Sequence, residues 1–173
     1  VGGFAGEVYN AKSIEECYST GNVIGQTGSS ANQQLGGFAG RIYNGGQIYN
    51  SYATGNVVGH TSIGGFVGYV QNNSSNTNSI VNSYATGEVT GTTDVGGFIG
   101  NNLYHATYIP TFTNLYWDST STENQSLSDI GDYNGSEYDD SNITKTSTSV
   151  MQTKSTFTNA GWDFEAEDTN GTE

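Results

Sequence analysis

A short glycine-aromatic motif recurs along this chain at a nearly constant distance, and that recurrence limits what it can fold into more than any other feature. Gly-Gly-Phe, followed by a small or apolar residue and another glycine, begins at Gly2, Gly36, Gly64 and Gly96. Between the copies lies a second motif: Cys17-Tyr-Ser-Thr-Gly-Asn-Val23, Ser51-Tyr-Ala-Thr-Gly-Asn-Val57 and Ser83-Tyr-Ala-Thr-Gly-Glu-Val89. A fourth copy opens at Leu115-Tyr116-Trp117 and then diverges. Tyr52 falls midway between Phe38 and Phe66, so the repeating unit is a stretch such as 36–63, with one motif in each half. The first copy carries six extra residues around 28–34 and the third four around 73–76, both rich in Asn and Ser. Insertions that leave the register intact on either side belong on a surface.

A unit of this length, with short β-branched runs separated by glycine, cannot bury an apolar face alone. Stacked copies can, each coil pairing its strands with the coils above and below at roughly 4.8 Å. The predicted fold is all-β: a parallel β-helix (β-solenoid) of about four coils, 2–35, 36–63, 64–95 and 96–117. Residues 1–117 then form the repeat region and 118–173 an acidic, polar C-terminal capping segment. Phe4, Phe38, Phe66 and Phe98 should align as a ladder, and glycines should supply positive φ at the corners.

Columns between copies indicate which positions face inward. Ile14, Ile48, Ile80 and Phe112 form one apolar column, and Val23, Val57 and Val89 another. The columns Cys17/Ser51/Ser83/Leu115 and Ser19/Ala53/Ala85/Trp117 take small or apolar residues and read as inward. Tyr18, Tyr52, Tyr84 and Tyr116 then point outward as an aromatic file. Strict alternation from Ile48 would turn Tyr52 inward instead, unless the recurring Asn50, Asn82 and Asn114 mark a bend.

Composition narrows the function. The chain carries 17 acidic residues against four basic ones, a net charge of −13. Residues 1–117 hold only −3 of this and residues 118–173 hold −10. Four scattered cations cannot neutralise a phosphate backbone or dock on anionic lipid, so nucleic acid and membrane insertion are not expected. Cys17 is the single cysteine, so no internal disulfide forms, and within a repeat column it reads as a core filler. Val1 opens inside a repeat motif, which reads as a fragment or processed chain.

Gly-Gly-Phe-x-Gly followed by Asn-Ser-Tyr-Ala-Thr-Gly-Asn-Val-x-Gly resembles the GLUG repeat of bacterial and archaeal surface proteins. Leu115-Tyr-Trp-Asp118, Met151-Gln-Thr-Lys-Ser-Thr-Phe157 and Gly161-Trp-Asp-Phe164 resemble the segment that closes such arrays. The resemblance implies a parallel β-helix in a large adhesin-like protein and an extracellular or cell-surface location. It carries over no catalytic residue and no defined ligand.

Nothing in the residues points to chemistry. His60 and His105 lack a partner at zinc-ligand spacing. The repeat acids Glu7, Glu15, Glu16, Glu88 and Asp94 form no column of paired carboxylates such as glycoside hydrolysis needs. The expectation is a non-catalytic rod segment whose tyrosine file (Tyr18, Tyr52, Tyr84, Tyr116) contacts a surface glycan or protein; the rival is that the tyrosines only stiffen the rod. Other readings are a self-assembling filament or sheath subunit binding copies of itself, an ice-binding solenoid using Thr20, Thr54 and Thr86, and a polysaccharide-active enzyme. One cofactor is weighed: calcium, on Asp129, Asp132, Asn134, Asp139 and Asp140. Against it stands a solvated acidic loop.

Overall fold

A computed structural model describes residues 1–10, 13–26, 28, 33–73, 75–104, 107–121, 124–134 and 141–162. The first coil holds β1 (Ala5–Tyr9), β2 (Ser13–Glu15), β3 (Tyr18–Ser19) and β4 (Val23–Ile24). The second holds β5 (Leu35–Gly36), β6 (Ala39–Tyr43), β7 (Gln47–Tyr49), β8 (Tyr52–Ala53) and β9 (Val57–Val58). The third runs through β10 (Thr61–Gly64), β11 (Val67–Asn72), β12 (Ser79–Ala85) and β13 (Val89–Thr90). The fourth consists of β14 (Thr93–Tyr104) and β15 (Thr111–Asp118). Beyond it come β16 (Ser128–Asn134), β17 (Ile143–Thr146) and two short helices, α1 (Thr148–Met151) and α2 (Lys154–Thr158).

These strands pair in parallel, equivalent strand on equivalent strand, and form three sheets. The chain is a β-solenoid. Its register is the repeat register: Tyr18 lies beside Tyr52 and Tyr52 beside Tyr84, while Ile48 lies between Ile14 and Ile80. Phe4, Phe38, Phe66 and Phe98 stack with successive ring centroids 4.9 Å apart, the coil spacing itself. Ile48, Ile80, Val57, Val89, Ala53 and Ala85 are buried, as their columns predict.

Two details differ from the sequence expectation. The first concerns glycine. The Gly-Gly-Phe glycines do not have positive φ; among the described residues the left-handed positions fall on Asn10, Glu16, Asn44, Asn50, Ser62, Asn82, Asp94 and Asn114, with Gly45 and Gly161. Asparagine and aspartate tolerate this region because their short polar side chains bond locally. The motif glycines are needed for room instead. A Cβ on Gly37 would stand 2.2 Å from the carbonyl oxygen of Gly65, and one on Gly65 2.3 Å from that of Gly97. The same Cβ atoms would press on Ala53 and Ala85, so the glycine column and the small-residue column meet where the coil is thinnest.

The second concerns the end of the stack. Parallel pairing does not stop at the 117/118 boundary expected between repeat region and capping segment, which falls inside β15. β16 pairs with β14 and β17 with β15. Ile130 continues the column of Ile99, and Ile143 that of Leu115, both buried. Trp117 terminates the glycine column: its ring lies where a Cβ on Gly97 would be, in the place that carbonyl oxygens occupy in lower coils. The third sheet ends differently. Asn124 accepts from the Val89 N–H at 2.9 Å and donates to the carbonyls of Asp118 (2.7 Å) and Gly87 (3.2 Å), so one buried side chain satisfies backbone groups a further strand would have paired.

Candidate functional site

The tyrosine file forms on the outside of the rod because of the bend before it. Asn50, Asn82 and Asn114 have φ of 49°, 47° and 52°, and each resets the alternation so that Ser51 and Ala53 turn inward and Tyr52 outward. The bending asparagines hold each other. Asn82 Nδ2 donates to Asn50 Oδ1 and Asn114 Nδ2 to Asn82 Oδ1, both at 3.1 Å. Ser51 and Ser83 satisfy themselves beneath the rings by donating to the carbonyls of Tyr49 (2.8 Å) and Val81 (3.0 Å).

Tyr18 and Tyr52 stack with centroids 5.2 Å apart and 8° between planes; Tyr52 and Tyr84 stack at 4.9 Å and 3°. Near-parallel rings at coil spacing make a continuous aromatic surface. It is open at Tyr18, which is 60% exposed, and covered at the other end. Phe157 of α2 meets Tyr84 at 5.8 Å and Tyr116 edge-on at 5.2 Å; Trp162 lies 6.0 Å from Tyr84. Burial raises the pKa of both covered phenols, and at Tyr84 the neighbouring Tyr52 adds to the rise.

The covering segment is anchored to β15 at its two ends, and between them the Tyr116 hydroxyl donates to the Thr156 carbonyl at 3.5 Å. Asp118 accepts from the Thr148 hydroxyl at 2.5 Å and from the Thr120 N–H at 2.8 Å. Asn114 Nδ2 donates to the Ala160 carbonyl at 2.6 Å. Between these anchors α1 and α2 arch over the tyrosine side and leave a cleft of about 630 Å³. Thr54 and Thr86 are on its floor, Tyr84, Phe157 and Trp162 along its aromatic side. The threonine file Thr20, Thr54, Thr86 ends at Asp118, which follows Trp117 in register with Ala85. With helices arched over it, this file is not the flat array an ice-binding face requires.

The acidic residues weighed for calcium are placed apart where they are described. Asp129 accepts a hydrogen bond from the Trp117 indole, while Asp132 is exposed and receives Asn101 Nδ2 at 3.3 Å. Asn134 ends β16, and Asp139 and Asp140 lie outside the described residues. Among the described residues no three His, Cys, Asp or Glu side chains converge as metal ligands. His60 Nδ1 lies 3.0 Å from its neighbour Thr61 Oγ1, and His105 lies outside the described residues. Cys17 packs half-buried against the core.

Sequence reasoning missed a second aromatic pair. Tyr9 and Tyr43 stack at 5.3 Å, with the Arg41 guanidinium 4.1 Å from the Tyr43 ring and Arg41 paired to Glu7 at 3.1 Å. Its signal was the shared offset of Tyr9 from Phe4 and of Tyr43 from Phe38, a column that Gln71 and Leu103 then interrupt.

Comparison with known proteins agrees with this geometry. The family model described as "The GLUG motif" matches residues 1–24 and 31–58. No curated protein and no solved structure matches the chain. The two matched stretches are the first coil and most of the second, and the third and fourth repeat them in register, ring on ring and isoleucine on isoleucine. The chain thus carries GLUG motifs in its first two coils, and the coils that follow repeat their pattern.

Proposed function

We propose that this chain is a non-catalytic, extracellular adhesion segment of a larger microbial surface protein, a stiff rod that holds an aromatic face toward a glycan or protein partner. The observation that carries this reading is the open end of the tyrosine file, with Tyr18 and Tyr52 stacked 5.2 Å apart on the outer surface. Aromatic faces combine large contact area with little rotamer entropy to lose, which suits sugar rings and protein hot spots alike. Fixing them on a parallel sheet removes most of the ordering cost that a loop would bear on binding. Composition supports the same reading: few charges in the repeats, a strongly acidic remainder and a single cysteine. Among the described residues no helix is long and apolar enough to cross a membrane.

The test is a glycan array probed with the whole chain and with the Tyr18→Ser/Tyr52→Ser double variant. The reading expects discrete glycan signals that the double variant loses while its melting temperature stays within a few degrees. Signals equal in both proteins would remove the tyrosine face from the account.

A further inference from the structure

The cleft under α1 and α2 combines features that the repeat by itself does not need. Its floor is formed by Thr54 and Thr86, each following an inward alanine and so pointing outward one coil apart. Neither hydroxyl makes a side-chain hydrogen bond to a described residue, and the same holds for the Gln152 amide at the rim. Three polar groups therefore face one cleft, beside the aromatic side of Tyr84, Phe157 and Trp162. The space is held open from both ends. Thr148 and Ala160 are anchored to Asp118 and Asn114, which lie one short stretch of β15 apart, while the chain between Thr148 and Ala160 is three times as long. The excess length has to arch.

We propose that this cleft is a binding site for a neutral pyranose, one or two rings long, such as the end of a glycan chain. The assignment rests on the reading of the tyrosine side as a contact surface and names the ligand class at its covered end. Pyranoses have an apolar C–H face that lies against aromatic rings and hydroxyls that exchange hydrogen bonds with hydroxyls and amides. Both halves of that complement are present. A volume of about 630 Å³ falls within the roughly 300–1,000 Å³ usual for small-molecule sites. Within the cleft one acid, Asp118, is balanced by one base, Lys154, which suits an uncharged ligand, and the chain's overall −13 disfavours acidic sugars from a distance. Long-range repulsion of this kind lowers both affinity and association rate for anions.

The experiment is solution NMR of the whole chain titrated with lactose, cellobiose, mannobiose and diacetylchitobiose, and separately with an anionic heparin disaccharide. The chain has two tryptophans, of which Trp117 is fully buried, so the Trp162 indole signal reports the cleft directly. Tyr18 and Tyr52 ring signals report the open face. The proposal expects saturable movement of the Trp162 signal with at least one neutral disaccharide. It also expects affinity at least about tenfold weaker in the Thr54→Val/Thr86→Val variant at unchanged melting temperature. Movement confined to Tyr18 and Tyr52 would overturn the cleft while leaving the open face as the contact surface. No movement of Trp162 with any of the four sugars would overturn it too, and the array would then judge the open face alone. Tighter binding of the heparin disaccharide than of every neutral sugar would also overturn it.

Discussion

Tyr84 and Trp162 belong to distant parts of the chain, yet their ring centroids are 6.0 Å apart with 38° between planes. Through this contact, and through Phe157 packed on Trp162 at 5.1 Å, the C-terminal segment closes one end of a surface that the repeats would otherwise leave open. Phe157 is the buried member of the pair. Phe157→Ala should cost about 3 kcal/mol in urea unfolding, at the low end for a buried phenylalanine. The same variant should expose Tyr84, read as faster chemical nitration of that residue. A variant as stable as the parent would mean that the segment rests on the rod without holding it.

The glycines divide into two kinds, and substitution should separate them. Around Gly21 nothing lies within 4 Å of an added Cβ, whereas at Gly65 the nearest atom is a backbone carbonyl oxygen. Gly21→Ala should be neutral or stabilising by up to about 1 kcal/mol through the unfolded chain. Gly65→Ala should cost several times that, about 3 kcal/mol or more, since two coils must part. Thermal denaturation of the two variants side by side decides it; equal melting temperatures would refute the close-approach account.

Asn82 combines a left-handed backbone with two ladder hydrogen bonds. Asn82→Gly removes the bonds but keeps the conformation accessible. Asn82→Ala removes the bonds and adds the left-handed penalty of roughly 1–2 kcal/mol. The alanine variant should therefore be the less stable of the two by about that amount in chemical denaturation. The opposite order would show that the bend is not what the asparagine provides.

Alkaline pH should loosen the cap. Tyr84 and Tyr116 have pKa values raised by burial from the ordinary 10.0, so the folded state keeps protons that the unfolded chain gives up. Above about pH 10 the unfolded chain therefore binds fewer protons, and stability falls as pH rises through the folded pKa values. Below that pH their contribution is fully present. Tyr84→Phe retains the ring and removes the proton, so its melting temperature should fall less steeply between neutral and strongly alkaline pH. Parallel curves for variant and parent would count against the burial at this site.

Asp129 is engaged by the Trp117 indole, which separates a structural from a calcium role. Asp129→Asn should lower the melting temperature equally with calcium and with a chelator. A drop seen only in calcium would restore the acidic run as a metal site.

The local and periodic features were legible before any coordinates. Every coil repeats the same neighbours, so a column of isoleucine, valine or alanine at constant offset reports an inward face regardless of which coil it belongs to. The bend was legible for the same reason, since asparagine recurs at 50, 82 and 114. Ile143 could have been found by that rule as well, since it follows Leu115 at the same distance as Phe66 follows Phe38. Its variable, acidic surroundings hid it.

What the sequence by itself determined is the period, the register and the inward sense of the apolar columns, because stacking converts one offset into every contact. The outward sense of the tyrosines rested on the left-handed bend at Asn50, Asn82 and Asn114. The role of the glycines was decided only in three dimensions: Gly65 is small because Gly97, a whole repeat later in sequence, passes one coil away in space. So was the fate of the tyrosine file. Phe157 and Trp162 belong to no repeat, so no offset states where they dock. They dock on Tyr84 and Tyr116 because Asp118 and Asn114 hold the segment's two ends to the fourth coil, and the rings are the nearest apolar surface they can cover.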